Sequence, residues 1–365
     1  MSEWQTFCLK DLGKIFGGST PPTNNPKNYG NKIAWITPKD LSTLQGRYIK
    51  KGSRSISRLG FKSCSCVLLP KHAILFSSRA PIGYVAIAKK RLCTNQGFKS
   101  IIPNKKIYFE FLYYLLKYHK DNISNIGGGT TFKEVSGATL GLFQVKIPPT
   151  YYEQQKIART LSVLDQKIEN NHKINELLHT LAYKIYEYYF KYKPKNAKLE
   201  QIIIENPKSS IMVKNAQKTQ DKYPFFTSGD NILSYPKAII DGRNCFLNTG
   251  GNAGIKFYVG KASYSTDTWC ICANEFSDYL YLLLSSIKNH INQSFFQGTS
   301  LKHLQKNLLK KYPIYMPSAH EIKKFNQIII PLLTLISINT RTSKKLEQIR
   351  DFLLPLLLKQ QVKPK

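Results

Sequence analysis

The sequence has no long hydrophobic run and no apolar leader. Its longest apolar stretch, Ile328 to Ile338, has 11 residues and contains Pro331, whereas a helix that spans a membrane needs about 20 apolar residues. The N-terminal Met1-Ser2-Glu3-Trp4 begins neither a basic region nor an apolar signal segment. We therefore expect no membrane partner and no secretion.

Cysteine is scarce, and its spacing is not that of a metal site. The seven residues, an odd number, are Cys8, Cys64, Cys66, Cys93, Cys245, Cys270 and Cys272. Without a secretory signal, this number indicates reduced thiols and a cytoplasmic location. Cys64-Ser-Cys66 and Cys270-Ile-Cys272 permit a zinc hypothesis, but alternate positions in apolar runs favour buried strand residues. We expect no metal on this chain.

Acidic residues are also scarce: 22 Asp and Glu stand against 54 Lys and Arg, for a net charge of +32. Such a charge attracts polyanions, with nucleic acid as the leading candidate. The chain has 365 residues, 42% of them hydrophobic, which is enough for two packed domains. Basic residues outnumber acidic ones by 23 to 6 in 1–150 and by 16 to 8 in 193–320. This distribution favours two DNA-binding domains, although a generally lysine-rich proteome would also make every surface basic.

Motifs for catalysis on DNA are missing. A DNA methyltransferase needs an Asn/Asp-Pro-Pro-aromatic motif to hold the flipped base, and neither Thr20-Pro-Pro-Thr23 nor Ile147-Pro-Pro-Thr150 supplies one. Gly254 to Ala262 fails as a P-loop, because five residues separate its glycines and Ala262 stands where Ser or Thr must meet Mg²⁺. We expect a chain that is not catalytic and binds no cofactor.

An internal repeat with a period near 170 residues is present. Ser78-Arg-Ala-Pro-Ile-Gly83 lies over Thr249-Gly-Gly-Asn-Ala-Gly254 at an offset of 171, and Gly129-Thr-Thr-Phe-Lys133 matches Gly298-Thr-Ser-Leu-Lys302. Short β-rich runs broken by Gly, Pro and Asn fill the globular part of each repeat. The fold is therefore predicted to be α+β, with two repeated globular domains, each followed by a long helix.

Each long helix has the 4-3 apolar spacing of a coiled coil. The spaced positions of the first helix are Ile157, Leu161, Leu164, Ile168, Asn171, Asn175, Leu178, Ala182, Ile185 and Tyr189. Those of the second helix, 168 residues later, are Phe325, Ile329, Leu332, Ile336, Asn339, Ser343, Leu346, Arg350, Leu353 and Leu357. The polar residues recur at the same place. An antiparallel register puts Asn175 opposite Asn339 and Asn171 opposite Ser343, and a parallel register would also match the polar layers, so they support pairing without fixing its direction.

The two helices are predicted to form an antiparallel coiled coil. A compact domain with a radius of gyration of about 14 Å must connect the end of the first helix to the start of the second, and it could not span a parallel return. The alternative is that each helix packs separately on its own domain. Pro331 and Pro355 predict kinks or a late helix start. The predicted segments are 1–150, 151–192, 193–320 and 321–361, that is, domain, helix, domain and helix.

Several strings, in this order and spacing, resemble the specificity subunit of type I restriction-modification systems over nearly the whole chain. They are Gly17-Gly-Ser-Thr-Pro21, Ile33-Ala-Trp-Ile-Thr-Pro-Lys-Asp40, Ile74-Leu-Phe-Ser-Ser-Arg-Ala-Pro-Ile-Gly83, Thr94-Asn-Gln-Gly97, Gly129-Thr-Thr-Phe-Lys133, Ile147-Pro-Pro-Thr-Tyr-Tyr-Glu-Gln-Gln-Lys-Ile157 and Leu164-Asp-Gln-Lys-Ile168. The second helix departs from the family pattern, because Leu333 replaces Asp165. A less regular second docking surface is expected there.

The resemblance implies that each globular part is a target recognition domain that reads one half of a split DNA sequence. It implies that the helices dock methyltransferase (modification) subunits, two per chain, and that restriction endonuclease/translocase subunits join the complex. S-adenosylmethionine, ATP and Mg²⁺ are then expected on those partners. The predicted docking residues are Ile157, Leu161, Leu164, Ile168, Asn171, Asn175, Leu178, Ile185, Ile329, Leu332, Ile336, Asn339, Leu346 and Leu353.

Two other functions fit the same residues. One is a basic scaffold or adaptor that binds acidic partners without reading bases, and the other is a specificity module that serves a single-chain restriction enzyme in trans. Neighbouring genes for a DNA adenine methyltransferase and an ATP-driven nuclease would favour the specificity subunit over the scaffold.

Base reading needs Arg, Lys, Asn, Gln, Ser or Thr at the tips of supported loops. Arg79 is the strongest candidate for reading guanine, whereas its counterpart Gly250 cannot read a base. The repeated Gly-rich turns offer Lys133 for a phosphate contact, with a helix capping box of Thr131 and Glu134 as the alternative. The predicted set is Thr20, Lys39, Arg79, Asn95, Gln96, Thr130, Thr131, Lys133, Asn248, Thr249, Asn252, Asp267, Thr299, Ser300 and Lys302.

The antiparallel helices also predict the form of the DNA target. Two domains at opposite ends of a rod about 50 Å long would be separated by about 15 base pairs of straight duplex. The target is therefore expected to consist of two short half-sites around an unspecified spacer. Because Arg79 and Gly250 differ, the half-sites are expected to differ as well.

Overall fold

The structure is a computed structural model that describes residues 3–79, 81–129, 133–216 and 222–364. The predicted contact residues Thr130 and Thr131 lie outside these ranges. The chain forms two compact units, which we call unit 1 (Met1–Glu169 with Lys345–Lys365) and unit 2 (Asn170–Lys344). Each unit contains a globular α+β part and a part of each long helix.

Unit 1 contains a five-stranded sheet, a three-stranded sheet and a two-stranded ribbon, with the orders β2-β9-β6-β7-β4, β5-β3-β8 and β1-β10. The strands are β1 (Gln5–Cys8), β2 (Gly13–Gly17), β3 (Tyr29–Ile36), β4 (Tyr48–Ile49), β5 (Arg54–Ile56), β6 (Ile74–Ser78), β7 (Ile82–Ala88), β8 (Cys93–Thr94), β9 (Lys99–Pro103) and β10 (Gln144–Ile147). The helices are α1 (Leu9–Leu12), α2 (Pro38–Ser42), α3 (Arg58–Lys62), α4 (Phe109–Asn125), α5 (Gly137–Leu142) and the first long helix, α6 (Tyr151–Tyr186).

Strand β6 lies at the centre of unit 1 because its side chains are apolar on both faces. Ile74 and Phe76 pack in a cluster with α4, whereas Leu75 points to the opposite face, into a cluster that contains Phe98. A continuous apolar run of this kind is typical of a strand that is covered on both sides.

Unit 2 has sheets of four and three strands and two ribbons, with the orders β12-β18-β15-β16, β14-β13-β17, β11-β21 and β19-β20. The strands are β11 (Ala197–Lys198), β12 (Ile204–Glu205), β13 (Tyr223–Phe226), β14 (Leu233–Tyr235), β15 (Arg243–Asn248), β16 (Ile255–Val259), β17 (Ser263–Tyr264), β18 (Thr268–Cys272), β19 (Phe296–Gln297), β20 (His303–Leu304) and β21 (Pro313–Ile314). The helices are α7 (Ser277–Ser286), α8 (Lys288–Ser294), α9 (Lys306–Lys310) and the second long helix, α10 (Ala319–Leu358).

The predicted repeat is visible in the strand pairing. Strands β6 and β7 form an antiparallel hairpin in unit 1, as β15 and β16 do in unit 2. Strand β3 runs parallel to β8, and β13 runs parallel to β17. The ribbon β1-β10 of unit 1 corresponds to β11-β21 of unit 2. The two globular parts are therefore α+β domains of the same design, as the sequence predicted.

The two long helices begin with similar caps. Thr150 Oγ1 accepts a hydrogen bond from the backbone N of Glu153 at 3.2 Å, ahead of α6. Ahead of α10, Ser318 N donates to Glu321 Oε2 at 2.9 Å and Glu321 N donates to Ser318 Oγ at 3.3 Å. These are the hydrogen bonds of a Ser/Thr-x-x-Glu capping box. Because this cap starts α10 at Ala319, ahead of Pro331, the late start that the proline predicted is wrong.

Pro331 is tolerated inside α10 because it lies on the exposed side of the helix, where water can satisfy the backbone carbonyl that loses its amide donor. The helix assignment is continuous from Ala319 to Leu358 and so includes Pro355. The first long helix ends differently, in a π-helical turn over Glu187–Lys191.

Contacts within unit 2 show that the helices are antiparallel. Asn339 Nδ2 donates to Asn175 Oδ1 at 2.9 Å, and Asn171 Nδ2 donates to Ser343 Oγ at 3.1 Å. Moving four residues forward in α6, from Asn171 to Asn175, therefore moves the partner four residues back in α10, from Ser343 to Asn339. Both predicted polar pairs are confirmed. The alternative of separately packed helices is wrong.

Apolar positions of the predicted seam pack on either side of this polar layer. In unit 2, Leu178, Ala182 and Ile185 belong to the same cluster as Ile329, Leu332 and Ile336. In unit 1, Ile157 and Leu161 pack with Leu353, Leu354 and Leu357. The heptad pattern therefore describes how the two helices hold each other.

The thiols are free, and most of them are buried. Cys270 and Cys272 lie in strand β18, as predicted, but Cys64 and Cys66 lie in a segment without strand structure, so that part of the prediction is wrong. Among the described residues, no group of His, Cys, Asp and Glu is arranged to hold a metal ion. No helix in the described part of the chain is long and apolar enough to cross a bilayer.

Candidate DNA interface

In unit 1, four separate segments meet at one edge of the domain. The backbone N of Ser78 donates to Gly97 O at 2.8 Å, and Val135 N donates to Ser78 O at 3.0 Å. Ser19 N donates to Thr94 O at 3.0 Å, so the chain after β2 joins the same group. These bonds bring together the loops that contain the predicted residues Thr20, Arg79, Asn95, Gln96 and Lys133. The sequence predicts each loop separately, and the backbone hydrogen bonds join the loops into one surface.

The polar residues of this edge differ in how freely they can reach a ligand. Lys39 and Lys133 are exposed, and Lys39 lies in the first turn of α2. Gln96 is exposed and accepts a hydrogen bond from the Thr20 hydroxyl. Asn95 Oδ1 instead accepts from Gly97 N at 3.0 Å and shapes the loop. Lys39, Lys133 and Gln96 are therefore the residues of this group best placed to contact DNA.

Arg79 is held by an acidic neighbour. Its Nη1 lies 3.7 Å from Glu134 Oε2, and Lys99 Nζ lies 3.1 Å from Glu134 Oε1. The backbone of Arg79 also forms an antiparallel bridge with Glu134. A helix cap at Glu134, the alternative considered for this turn, is wrong because α5 begins at Gly137 and is capped by Ser136, whose side chain accepts from Thr139 N.

Unit 2 builds the corresponding edge with similar backbone connections, among which the bond from Leu304 N to Thr249 O is the counterpart of the bond from Val135 N to Ser78 O. Thr249 N donates to Asp267 O at 3.3 Å, Leu304 N donates to Thr249 O at 3.0 Å, and Gly251 N donates to Lys302 O at 2.9 Å. Gly250 forms a bridge with His303, in the place where Arg79 and Glu134 form theirs. The predicted residues Asn252, Thr299, Ser300 and Lys302 are exposed on these loops.

Three predicted residues of unit 2 maintain the loops and have little capacity left for DNA. Asn248 is only 6% exposed, its Nδ2 donates to Asn252 O at 3.1 Å, and its Oδ1 accepts from Lys256 Nζ at 3.2 Å. The Thr249 hydroxyl donates to Asp267 O at 2.7 Å, and Asp267 Oδ1 accepts from Ser265. The prediction that Asn248 contacts DNA is wrong, because its side chain is buried and its amide oxygen and nitrogen already have hydrogen-bond partners inside the domain.

Sequence reasoning missed the segment Thr227 to Gly229, which follows β13 at this edge. The Ser228 hydroxyl donates to Asp267 O and accepts from Thr249 N at 3.2 Å. Lys256 Nζ donates to Thr227 O at 2.8 Å, and burial lowers the pKa of this lysine. The missed signal is the aromatic run Tyr223 to Phe226 followed by a Thr-Ser-Gly-Asp turn, in the position that Thr37 to Asp40 occupies after β3.

The predicted docking residues of the two long helices are buried or half-buried. Ile157, Leu161, Ile168, Ile329 and Ile336 are each no more than 7% exposed. The remaining members, which are half-buried, are Leu164, Asn171, Asn175, Leu178, Ile185, Leu332, Asn339, Leu346 and Leu353. The prediction that these five buried residues contact a partner is wrong, because their side chains are enclosed within the units.

A second apolar stripe points outward from α6 in unit 2. It consists of Ile174, Leu177, Leu181 and Tyr188, of which Leu177 is 70% and Tyr188 is 85% exposed. The spacing of three and four residues puts Ile174, Leu177 and Leu181 on one face of α6, and Tyr188 lies in the π-helical turn that follows the helix. Exposed apolar stripes of this kind mark interaction sites. We call this set the outer stripe.

Each unit also has a cleft where the first turns of a long helix meet the domain. The cleft of unit 1 has a volume of about 620 Å³ and is lined by Tyr108, Glu110, Tyr152, Gln155, Lys156, Arg159, Thr160, Ser162, Val163 and Gln166. The cleft of unit 2, about 500 Å³, is lined by Glu275, Ala319, Ile322, Lys323, Asn326, Gln327, Ile330 and Pro331. The positions correspond at the 168-residue offset of the helices, but the first cleft is more polar than the second.

Comparisons of the sequence and of the structure with known proteins find similarity to one family. A family described as type I restriction modification DNA specificity domain matches residues 1–180 and 195–348. The type I restriction enzyme MjaIX specificity subunit of Methanocaldococcus jannaschii is 33% identical over 403 aligned residues, which cover 98% of this chain and 93% of that protein. The HindI specificity subunit of Haemophilus influenzae is 30% identical over 46% of this chain and 37% of its own length. The crystal structure of an S subunit from M. genitalium shares the fold, with a TM-score of 0.64, 17% identity and coverage of 98% of this chain and 96% of that one.

Proposed function

The chain belongs to the type I restriction-modification DNA specificity family and is a specificity subunit, and from this premise we propose that it recognises a split, asymmetric DNA target through one half-site per unit. The observation that carries the proposal is the repeated edge: in both units, equivalent backbone bonds gather loops with exposed polar side chains. Two such edges on one chain favour two half-sites.

The two edges supply different side chains to the DNA, which supports half-sites of different sequence. Unit 1 offers Gln96 and the Arg79–Glu134 pair, whereas unit 2 offers Asn252, Thr299 and Ser300. Amide and hydroxyl groups can read base edges in the major groove. Lys133 and Lys302, at equivalent places, are exposed and suited to phosphate contacts, which position the duplex without reading it.

The partners in this proposal are methyltransferase and restriction subunits, which carry out the chemistry and bind S-adenosylmethionine, ATP and Mg²⁺. The outer stripe and the two equivalent clefts support docking of two methyltransferase subunits per chain. Leu177→Asp combined with Leu181→Asp should then abolish co-purification of the methyltransferase while leaving the unfolding midpoint nearly unchanged, because both side chains are exposed. Complex formation at normal yield would reject the outer stripe as the docking site.

The seam provides the matched control for this docking experiment. Leu161, Leu164 and Ile168 replaced together by Asp should also abolish co-purification, but through unfolding, because Leu161 and Ile168 are buried. Circular dichroism separates the two causes. Loss of the complex with a folded seam variant would show that the seam itself contacts the partner.

Methylome sequencing tests the function directly. Cells with the partner methyltransferase should show adenine methylation at a split motif when this gene is present, and that methylation should disappear when the gene is deleted. A contiguous motif, or a methylome unaffected by the deletion, would contradict the proposal and favour a scaffold.

Helix length provides a second test of the split target. A heptad inserted into each long helix adds about 10 Å at about 1.5 Å per residue. The favoured spacer should grow by about three base pairs, at about 3.4 Å per pair, with both half-sites unchanged. A spacer that does not respond to the insertion would mean that the helices do not set it.

A further inference from the structure

A second arginine lies at the edge of unit 1, in a different setting from Arg79. Arg54 is the first residue of β5 and is exposed. Its guanidinium carbon lies 4.1 Å from the centre of the Tyr29 ring. Among the residues that the structure describes, no carboxylate pairs with Arg54, whereas Glu134 faces Arg79 at 3.7 Å. The donors of Arg54 are therefore available to a ligand.

The aromatic platform beneath Arg54 is fixed from two sides. The Tyr29 hydroxyl donates to Pro21 O at 3.0 Å. The Tyr29 ring also meets the ring of Trp35 edge-on, with a centroid distance of 6.2 Å. A guanidinium stacked on a fixed ring loses less conformational freedom when it forms hydrogen bonds, so it is organised before the ligand arrives.

The sheet places Arg54 among the candidate DNA residues. Trp35, near the end of β3, pairs with Arg54 on one side and with Cys93 on the other. Strand β8 ends at Thr94, and the chain continues directly into Asn95 and Gln96. Ser53 N donates to Asp40 Oδ1 at 2.7 Å, which fixes the start of β5 beside α2, where Lys39 lies.

We propose that Arg54 is a specificity-determining residue that reads a guanine in the half-site of unit 1, with its planar fork donating to O6 and N7. This inference rests on the proposed function, because it assigns a base reader to the edge already described. The rigid planar fork of arginine matches the O6 and N7 acceptors of guanine, whereas the lysine ammonium is a point charge on a flexible stem and holds the two acceptors less firmly.

The corresponding position in unit 2 cannot make this contact. Strands β3 and β8 correspond to β13 and β17, so Trp35 corresponds to Phe225, whose partner on the neighbouring strand is Leu233. A leucine in the place of Arg54 has no donors. The guanine contact is therefore specific to the half-site of unit 1.

The test uses the full-length chain and duplexes that carry the motif found by methylome sequencing, with each base pair substituted in turn. For Arg54→Ala, discrimination at one G·C pair of one half-site should fall by about 5- to 150-fold in relative affinity. Arg54→Lys should keep the overall affinity but lose the same discrimination. Arg91→Ala, which removes another exposed arginine of unit 1, is the matched control and should leave all preferences intact.

The outcomes separate this inference from the proposed function. Uniform weakening on every duplex by Arg54→Ala would make Arg54 a phosphate contact, and no change would make it a solvated residue; either result overturns the inference. Full discrimination by Arg54→Lys would also overturn it, because the planar fork would then be unnecessary. A wild-type chain that binds every duplex equally would instead reject the proposed function, whatever the variants do.

Discussion

Unit 1 and unit 2 differ most where the domain packs against the long helices. In unit 1, Arg47 lies 3.0 Å from Glu110 and 3.2 Å from Glu169, and Arg350 lies 2.7 Å from Asp165. At the 168-residue offset, unit 2 has Leu333 in the place of Asp165 and Ser337 in the place of Glu169. Leu333 is 1% exposed within the largest apolar cluster. Unit 2 keeps an ion pair at this junction, because Arg243 pairs with the buried Asp278 and donates to Thr334 of α10 at 2.9 Å. The same architecture therefore tolerates either a carboxylate or an apolar side chain at the position of Asp165.

Two tyrosine hydroxyl groups donate hydrogen bonds to the carboxylates of the ionic junction in unit 1. Tyr114 donates to Asp165 Oδ2 at 2.5 Å, and Tyr48 donates to Glu110 Oε1 at 2.6 Å. Burial and Asp165 raise the pKa of Tyr114, so its hydroxyl stays protonated and keeps donating. Burial alone would lower the pKa of Arg47, but Tyr114 and the surrounding carboxylates raise it on balance. A buried network with every partner in place is stable, and the loss of one partner is costly.

The largest expected effect comes from giving unit 1 the residue of unit 2. Asp165→Leu should destabilise unit 1 by about 3 to 5 kcal/mol, because Arg350 and Tyr114 lose a buried partner. Urea unfolding of the full chain, followed by hydrogen exchange to assign the loss to unit 1, measures this. Asp351→Ala, which removes the more exposed partner of Arg350, should cost less than about 1 kcal/mol. If Asp165→Leu and Asp351→Ala lower the free energy of unfolding by equally small amounts, the buried charge network contributes little to stability.

The polar layer in unit 2 should give an intermediate effect. Asn175→Leu should cost about 1 to 3 kcal/mol, because Asn339 Nδ2 loses its acceptor. The double variant Asn175→Leu with Asn339→Leu should recover that loss, since an apolar layer needs no hydrogen bonds. A thermal melt of all four proteins completes the cycle. Additive losses in the double variant would show that the two asparagines do not depend on each other.

The DNA-facing edges should respond to loss of charge in the same way in both units. Lys133→Ala and Lys302→Ala should each weaken binding to every sequence and lower the salt slope of log K by about one unit. Affinity measured from low to moderate salt provides the slope. If one variant changes base preference, that lysine reads a base and the two edges are less alike than the backbone bonds indicate.

The smallest expected effect is at the start of α10. Lys193, Ser318 and Tyr315 bind the carboxylate of Glu321 and lower its pKa to about 2. This stabilisation is present above the ordinary carboxylate pKa and is lost as the pH falls through the folded value, so stability should decline between about pH 4.5 and 2. Glu321→Gln should flatten that decline in acid unfolding curves. Glu176→Gln, an exposed control on α6, should leave it unchanged.

Heptads and the repeat predicted the helices accurately because those signals are local and periodic. The pairs Asn175 with Asn339 and Asn171 with Ser343 follow from the heptad spacing together with the antiparallel direction that the connecting domain requires. The repeated turns around Gly83 and Gly254 likewise located the hairpins of both units. Where a pattern recurs every few residues or after one fixed offset, the sequence is enough.

Long-range pairing of single side chains could not be predicted. Arg47 meets Glu169 across 122 residues, and the Asn248 side chain is enclosed by its own hairpin and Lys256. No periodicity marks which carboxylate an arginine will face, and nothing in the sequence pattern shows that Glu134 faces Arg79. The outer stripe was missed because a seam and an exposed face have the same heptad spacing and differ only in what covers them.

The discontinuity of unit 1 has a consequence for synthesis on the ribosome. Residues 1–169 are made first, but Arg350, Leu354 and Leu357, which complete their charge network and core, belong to the last segment, Lys345–Lys365. At about 5 to 20 residues per second, the intervening residues of unit 2 take about 9 to 35 seconds to translate. During that interval the nascent chain exposes the apolar side of α6 that α10 later covers. Unit 2 is a continuous segment, Asn170–Lys344, so all of its residues have been made before the last segment of unit 1 emerges, whereas unit 1 cannot complete its core until translation ends.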